Sequence, residues 1–260
     1  MAILVVSCDK YADLWQPFFA LFRRFWPGCP YTVYLLSNYQ RINEKEVFSI
    51  LVGEDHSWSD NLIQALLSIR EEYILMIVDD LFLTDYVQIE PLQKVFAWIN
   101  RERPNYVRLN PLPKPDKRYN DLVGVVSKGV LYRTATVMSV WKRTVLLDLL
   151  KPGENAWQFE IYGTVRSDEY GKFYSTWQAL VPFINCVIKG KWRCSTIRRI
   201  ESLGVPLDLN KREIMTLPES LSFVVDILCN RGLLCVPSAY QRAMRNFFTR
   251  GMRNYSSRHH

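Results

Sequence analysis

Tyr73-Ile74-Leu75-Met76-Ile77-Val78-Asp79-Asp80-Leu81-Phe82 is an apolar run that ends abruptly on two carboxylates. A run of this kind, rich in Ile and Val, reads as a strand buried on both faces, the mark of a sheet covered by helices. Burying an unpaired carboxylate costs roughly several kcal/mol, so Asp79 and Asp80 are expected where the strand leaves the sheet and meets solvent or a ligand. In open α/β sheets ligands sit beyond the carboxyl ends of the strands. Neighbouring strand residues point to opposite faces, which gives the two acids different tasks: hydroxyl recognition for one, a divalent cation or phosphate-bound water for the other. Taken alone, the dipeptide reads more plainly as a loop opening on two solvated acids.

The stretches before this run alternate in the same way. Residues 2–8 form a first buried strand, and residues 11–25 an aromatic-rich helix that stops before Trp26-Pro27-Gly28. Residues 31–36 and 47–51 are further strands. Trp58-Ser59-Asp60-Asn61 opens a helix through Arg70, capped by Ser59 or Asp60. Strand and helix alternation predicts an α/β fold with a mainly parallel sheet and right-handed crossovers. Further on, the pattern predicts a helix over 88–101, a short strand over 106–109 and a loop over 110–120, where Pro111, Pro113 and Pro115 exclude regular structure. Strands are expected at 131–133 and 136–138, and a helix over 142–150. After the break at Pro152-Gly153-Glu154, Asn155 caps a helix that carries Trp157 and Glu160.

The 260 residues are 48% hydrophobic and 13% aromatic, a globular composition with no linker and no internal repeat. The six cysteines show neither a C-x-x-C pair nor zinc spacing, which fits a reduced, cytoplasmic setting. No leader-like or membrane-spanning run is present in the sequence. The formal charge of +7 is uneven: no acid follows Asp226, whereas Arg231, Arg242, Arg245, Arg250, Arg253 and Arg258 do. A nearly neutral body argues against a nucleic-acid surface. Two units follow, a catalytic domain over 1–236 and a C-terminal helix over 237–260. In that helix Tyr240, Met244, Phe247, Phe248, Met252 and Tyr255 share one face and Arg242, Arg245, Arg250 and Arg253 the other. Such a helix either lies on an anionic membrane at the inner face or packs on the domain with a solvated arginine side. His56 reads as loop or packing, and His259 and His260 as a tag remnant.

An acidic pair closing a central strand of a nucleotide-binding α/β half, followed by Trp157-Gln158-Phe159-Glu160, resembles the GT-A-fold glycosyltransferases, particularly bacterial enzymes of surface-polysaccharide assembly. The resemblance covers roughly residues 2–200 and rests on the order of these elements. It implies transfer of a sugar, with inversion, from a nucleotide-sugar donor to a saccharide or lipid-linked acceptor. Ser7, Cys8 and Asp9 would hold the nucleotide base, and Asp79 and Asp80 the ribose and diphosphate. The segment Trp58, Asp60 and Asn61 would border the donor at a helix N-terminus. The usual acidic motif is Asp-x-Asp, whereas Leu81 follows the pair here. Either Asp80 alone reaches Mg²⁺ or Mn²⁺ beside the phosphates, or no metal is needed and Lys189, Lys191 and Arg193 neutralise the diphosphate. Glu160 is the expected general base, with Asp168 and Glu169 in reserve and Trp157 as an acceptor-side wall. A nucleotidyltransferase is the alternative enzyme, although Ser7-Cys8-Asp9-Lys10-Tyr11 lacks a glycine-rich phosphate loop. An RNA- or membrane-binding protein acting through the arginine tail is the alternative without catalysis.

Overall fold

A computed structural model describes residues 1–112, 114–234, 236, 240, 241 and 245. Most of the expected helix face over 237–260 therefore lies outside the described residues. The chain begins with β1 (Ala2–Val6), α1 (Ala12–Phe25), β2 (Thr32–Ser37), β3 (Val47–Leu51), α2 (Trp58–Ser68) and β4 (Tyr73–Val78). It continues through β5 (Leu81–Leu83), α3 (Ile89–Glu102), β6 (Tyr106–Arg108), β7 (Lys117–Arg118), β8 (Val123–Val125), β9 (Ser139–Lys142) and α4 (Arg143–Leu149). Two short helices, α5 (Ala156–Gln158) and α6 (Thr164–Arg166), flank a π-helical turn at Phe159–Gly163. Strands β10 (Phe173–Thr176), β11 (Phe183–Asn185), β12 (Val187–Ile188) and β13 (Lys191–Trp192) precede α7 (Cys194–Ser202) and α8 (Leu217–Leu234).

The described strands build one nine-stranded sheet in the order β3-β2-β1-β4-β9-β6-β10-β8-β7. Strands β3, β2, β1 and β4 are parallel, whereas β9 enters antiparallel to both β4 and β6. This is the α/β architecture expected of the sequence, with the parallel half at the N-terminal side. A period of two divides the strand residues between two cores. Ile3 and Val5 of β1, with Tyr73, Leu75 and Ile77 of β4, pack under α1 and α3. Ala2, Leu4 and Val6, with Ile74 and Met76, pack under α2 and α4. The result is helix, sheet, helix, in which each fully buried aliphatic side chain contributes about 1.5–3 kcal/mol.

Three expectations need correction. Residues 131–138 form no strand; the strand is Ser139–Lys142, one step later. The buried polar groups explain the shift, because Arg133, Thr134 and Thr136 bond to the helical stretch 160–167 instead of to a strand ladder. The 110–120 loop ends in the short edge strand β7. The arginine of the tail that is described, Arg245, is not on a solvated face: it pairs with Asp168 at 2.6 Å and is buried.

Candidate active site

Where β1 and β4 end side by side, a cleft of about 670 Å³ opens beyond their carboxyl ends. Its lining includes Ser7, Cys8, Lys10 and Tyr11 after β1, Asp55 to Trp58 and Asn61 around the start of α2, and Asp79 and Asp80 after β4. Thr136, Val137, Ala156 and Asn185 close the other side. These six separate stretches of the chain thus meet at the edge where such sheets accept ligands.

The two aspartates differ as their alternate placement requires. Asp79 continues the face of Leu75 and Ile77 towards α1, where it is buried and accepts a short hydrogen bond from the Ser7 hydroxyl. Trp15 of α1 donates its indole N–H to the same hydroxyl at 2.7 Å. Burial, and then the neighbouring Asp80 charge, push the Asp79 carboxyl well above its ordinary range. Asp80 lies on the cleft, and desolvation raises its pKa to about 6, opposed by its own backbone N–H and by Arg212. The backbone carbonyl of Asp80 accepts from Cys186 N at 2.8 Å, which fixes β11 and its Asn185 beside the acidic pair. Two carboxamide oxygens at the cleft, Asn61 Oδ1 and Asn185 Oδ1, are buried without a partner. Such orphaned acceptors suit a ligand that brings N–H or O–H groups, or a cation.

Several residues expected to touch a ligand instead build the frame. The Asp9 carboxylate accepts the backbone N–H groups of Asn38 at 2.9 Å and Tyr39 at 3.0 Å, latching the β2 exit to β1. Helix α2 is capped by Ser57, two residues before the expected Ser59 and three before Asp60, because the Ser57 hydroxyl accepts Asp60 N at 3.1 Å. Asp60 in turn accepts the Ser57 hydroxyl at 2.5 Å and Gly153 N at 3.0 Å, so it ties loop 153–154 to the helix start. The Ser57 hydroxyl, and then the Gly153 N–H, hold its carboxyl below the ordinary range.

Glu160 sits one layer behind the cleft. Asn155 caps α5 through a capping box with Gln158, as the sequence suggested, and the chain then widens into the π-helical turn Phe159–Gly163. One Glu160 oxygen accepts both Thr136 N at 2.8 Å and Thr136 Oγ1 at 2.9 Å. Burial raises the Glu160 pKa, opposed by the Thr136 bonds and by Arg108. Thr136, not Glu160, therefore meets the cleft. Trp58 lines the cleft and rests on Phe159, with ring centroids 5.5 Å apart. Trp157 is 55% exposed and lies outside the cleft lining.

The basic run at 189–193 also lies elsewhere. Lys191 is held between Glu213 at 2.8 Å and Glu219 at 2.9 Å, and Arg193 stacks over Phe223 at 5.0 Å. Lys189 is exposed on the turn between β12 and β13. None of the three lines the cleft; Lys10 and His56 do, His56 from the loop that leads into α2, as a loop reading of it allows. Arg212 is a residue that pattern reading missed. It pairs with Asp13 through both oxygens at 2.7 and 2.8 Å, stacks 4.0 Å over the Tyr11 ring and lies close enough to lower the pKa of both strand-end acids. No local pattern marks it, since its carboxylate partner is 199 residues away.

Among the described residues no group of three His, Cys, Asp or Glu side chains is placed for a metal ion. Asp80 and the orphaned Asn185 oxygen are hard oxygen donors at one cleft. Oxygen donors of this kind are the side chains here that could hold a hard divalent cation such as Mg²⁺ or Mn²⁺.

No family model and no curated protein matches the sequence. Solved structures do resemble it. S. aureus TarS 1–349 is similar over 67% of this chain and 59% of that chain, at 11% identity and a TM-score of 0.43. The same protein in complex with UDP-GlcNAc gives 12% identity, 68% and 58% coverage and a TM-score of 0.43. A UTP-bound UGPase from Acinetobacter baumannii gives 10% identity, 87% and 98% coverage and a TM-score of 0.45. The chain thus spans about three fifths of the TarS chains to which it is similar.

Proposed function

We propose that this protein is a glycosyltransferase that moves a sugar, with inversion, from a nucleotide-sugar donor to a hydroxyl of a saccharide or lipid-linked acceptor. The observation that carries the reading is the acidic pair at the end of β4, one member locked to Ser7 and the other open to a cleft large enough for a nucleotide sugar. Ser7, Trp58 and Asn61 border the donor, with Trp58 as a flat apolar surface and the Asn61 oxygen as an acceptor for base or ribose donors. Asp80 faces the diphosphate. Mg²⁺ or Mn²⁺, if used, would be held by Asp80 and Asn185 and would neutralise charge on the departing diphosphate. Lys10 lines the cleft, and Arg212 stacks on Tyr11 of its wall, which puts two cations beside that region.

In the transfer, the acceptor oxygen forms a bond to the anomeric carbon while the bond to the diphosphate oxygen breaks. The acceptor proton passes to Thr136 Oγ1 as the Thr136 proton passes to Glu160, along the existing 2.9 Å hydrogen bond. A carboxyl whose pKa is raised by burial is suited to receive it. Nucleotidyl transfer uses the same acids, but the first turn after β1 is the 3₁₀ helix Asp9–Tyr11 and contains no glycine to bring backbone close to a triphosphate.

Thermal shift with UDP, GDP, CMP and dTDP, each with and without Mn²⁺, tests the reading, because a ligand of the folded state raises its melting temperature. One nucleoside diphosphate is expected to raise Tm in the wild type and not in Asp80→Asn. Equal, absent shifts for all four nucleotides would remove the donor site.

A further inference from the structure

Asn61, the fourth residue of α2, lines the cleft and is only 4% exposed. The two ends of its carboxamide meet different surroundings. Nδ2 donates to Asp55 Oδ1 at 2.8 Å, whereas the Asn61 Oδ1 is buried with no hydrogen-bond partner among the described residues. Asp55 also lines the cleft, and its other oxygen, Oδ2, lies 3.4 Å from Lys10 Nζ. An ionised carboxylate accepts hydrogen bonds and donates none, so it holds the N–H₂ end of an amide and repels the oxygen end. Turning the Asn61 amide over would set two oxygens against each other and lose the bond to Asp55. The backbone is held as well, since Asn61 N donates to Ser57 O at 3.0 Å in the capped first turn of the helix.

We infer that Asp55 is a positioning residue that sets the hydrogen-bond polarity of this side of the cleft: it fixes Asn61 Oδ1 as an acceptor that a ligand donor must satisfy. The inference rests on the reading of the cleft as a nucleotide site. The chemistry selected is a nucleotide that brings an N–H from the pairing edge of its base, as uracil and guanine carry, or a ribose O–H. Such a donor pairs an oxygen that is otherwise buried and unsatisfied, while a ligand with an acceptor or a methyl group at that place leaves it so. Shape discriminates weakly between ligands that differ by one polar hydrogen, whereas an unpaired buried acceptor rejects the one that lacks it. Trp58 stands three residues before Asn61, on the same side of α2, and lines the same cleft. A base laid on that indole brings its edge to a neighbour on the same side of the helix, which puts the base N–H ahead of the ribose hydroxyl as the partner.

Calorimetric affinities of the full chain for UDP, 3-methyl-UDP and 2′-deoxy-UDP, and for GDP, 1-methyl-GDP and 2′-deoxy-GDP, test it. One parent nucleotide is expected to bind, and one of its two modified forms to bind at least about tenfold more weakly. Loss in the N-methyl form identifies the base as the donor, and loss in the 2′-deoxy form the ribose. Asp55→Asn presents an N–H₂ group as readily as an oxygen, so the Asn61 amide is free to turn and the ratio is expected to fall below about threefold. A role of Asp55 confined to stability would weaken parent and modified forms alike and leave that ratio unchanged. Asp55 lies on an exposed loop. Should the asparagine variant not fold, Asp55→Ala, which also frees the amide, carries the same expectation. A parent nucleotide that binds the wild type no better than both of its modified forms, or a folded variant that keeps the wild-type ratio, overturns the inference and leaves the nucleotide site standing. Absence of binding by both UDP and GDP also overturns it, and if the thermal-shift panel is silent as well the nucleotide site falls with it.

Discussion

The hydroxyl of Ser7 donates to the carboxylate of Asp79, 72 residues later, and receives the indole N–H of Trp15 at 2.7 Å. The contact joins the ends of two parallel strands and the first helix through one side-chain oxygen. It lets a carboxyl stay buried at the rim of the sheet without a counter-ion of its own, and it leaves Asp80 as the member of the pair that meets the cleft. Ser7→Ala removes a partner from both Trp15 and Asp79. A loss of about 1–3 kcal/mol in urea-unfolding free energy is expected, the usual cost of buried polar groups left unsatisfied. A change within error would show that this junction does not hold the rim.

Asp80→Asn should separate function from stability. In the folded state the Asp80 pKa is raised from 3.8 to about 6, so the protein gives up stability as the pH rises from about 4 through about 6 and ionises this buried acid. The stability of Asp80→Asn relative to wild type should therefore grow across that interval and level off above it. At 1.36 kcal/mol per pKa unit, reduced for partial solvation, the plateau is expected near 2 kcal/mol. With Mn²⁺ present, nucleotide affinity of the wild type should rise around pH 6 with the carboxylate fraction, and the variant should show neither affinity nor its pH dependence.

Thr136→Val and Glu160→Gln test the proton path. Valine keeps the Thr136 backbone bond to Glu160 but removes the hydroxyl, so transfer should fall by about 10²–10⁴ with nucleotide affinity retained. Glu160→Gln should lose turnover to a similar extent. Full turnover by Thr136→Val, measured as nucleoside diphosphate release, would eliminate the relay.

Arg212→Met leaves Asp13 buried and unpaired, since both side chains of this ion pair are less than 10% exposed. A loss of about 3–5 kcal/mol is expected, with much of it restored by the double variant Asp13→Leu/Arg212→Met. Equal Tm values for the single variant and the wild type would remove the buried pair as a support of the cleft mouth.

The parallel half was legible because its signals are local. The bounds of Val47–Leu51 and Tyr73–Val78 come out as expected, the first a β-rich run after Glu46 and the second an apolar run set between acids, and Asn155 marks the start of α5 as its N-cap. The far wall of the cleft was not legible. Apolar residues at 136–138 suggest a strand, yet Thr134 and Thr136 find partners in Thr164 and Glu160, and that tertiary bonding overrides the pattern. Glycine and cations at 189–193 suggest a phosphate site, but acids at 213 and 219 supply the neighbours of Lys191. Arg212 belongs to the same class: a charge whose meaning depends on a partner far along the chain leaves no periodic trace.

The π-helical turn has a consequence for how this pocket can be adjusted. A methyl group added at Gly163 would come 3.0 Å from two carbons of the Phe159 ring, closer than such atoms ordinarily approach. That ring has little room to retreat, being fully buried between Trp58 and Trp141. Strain introduced at 163 would thus be passed through Phe159 to Trp58 in the cleft lining. An alanine at 163 is therefore expected to reshape the cleft wall from a position that does not itself line it.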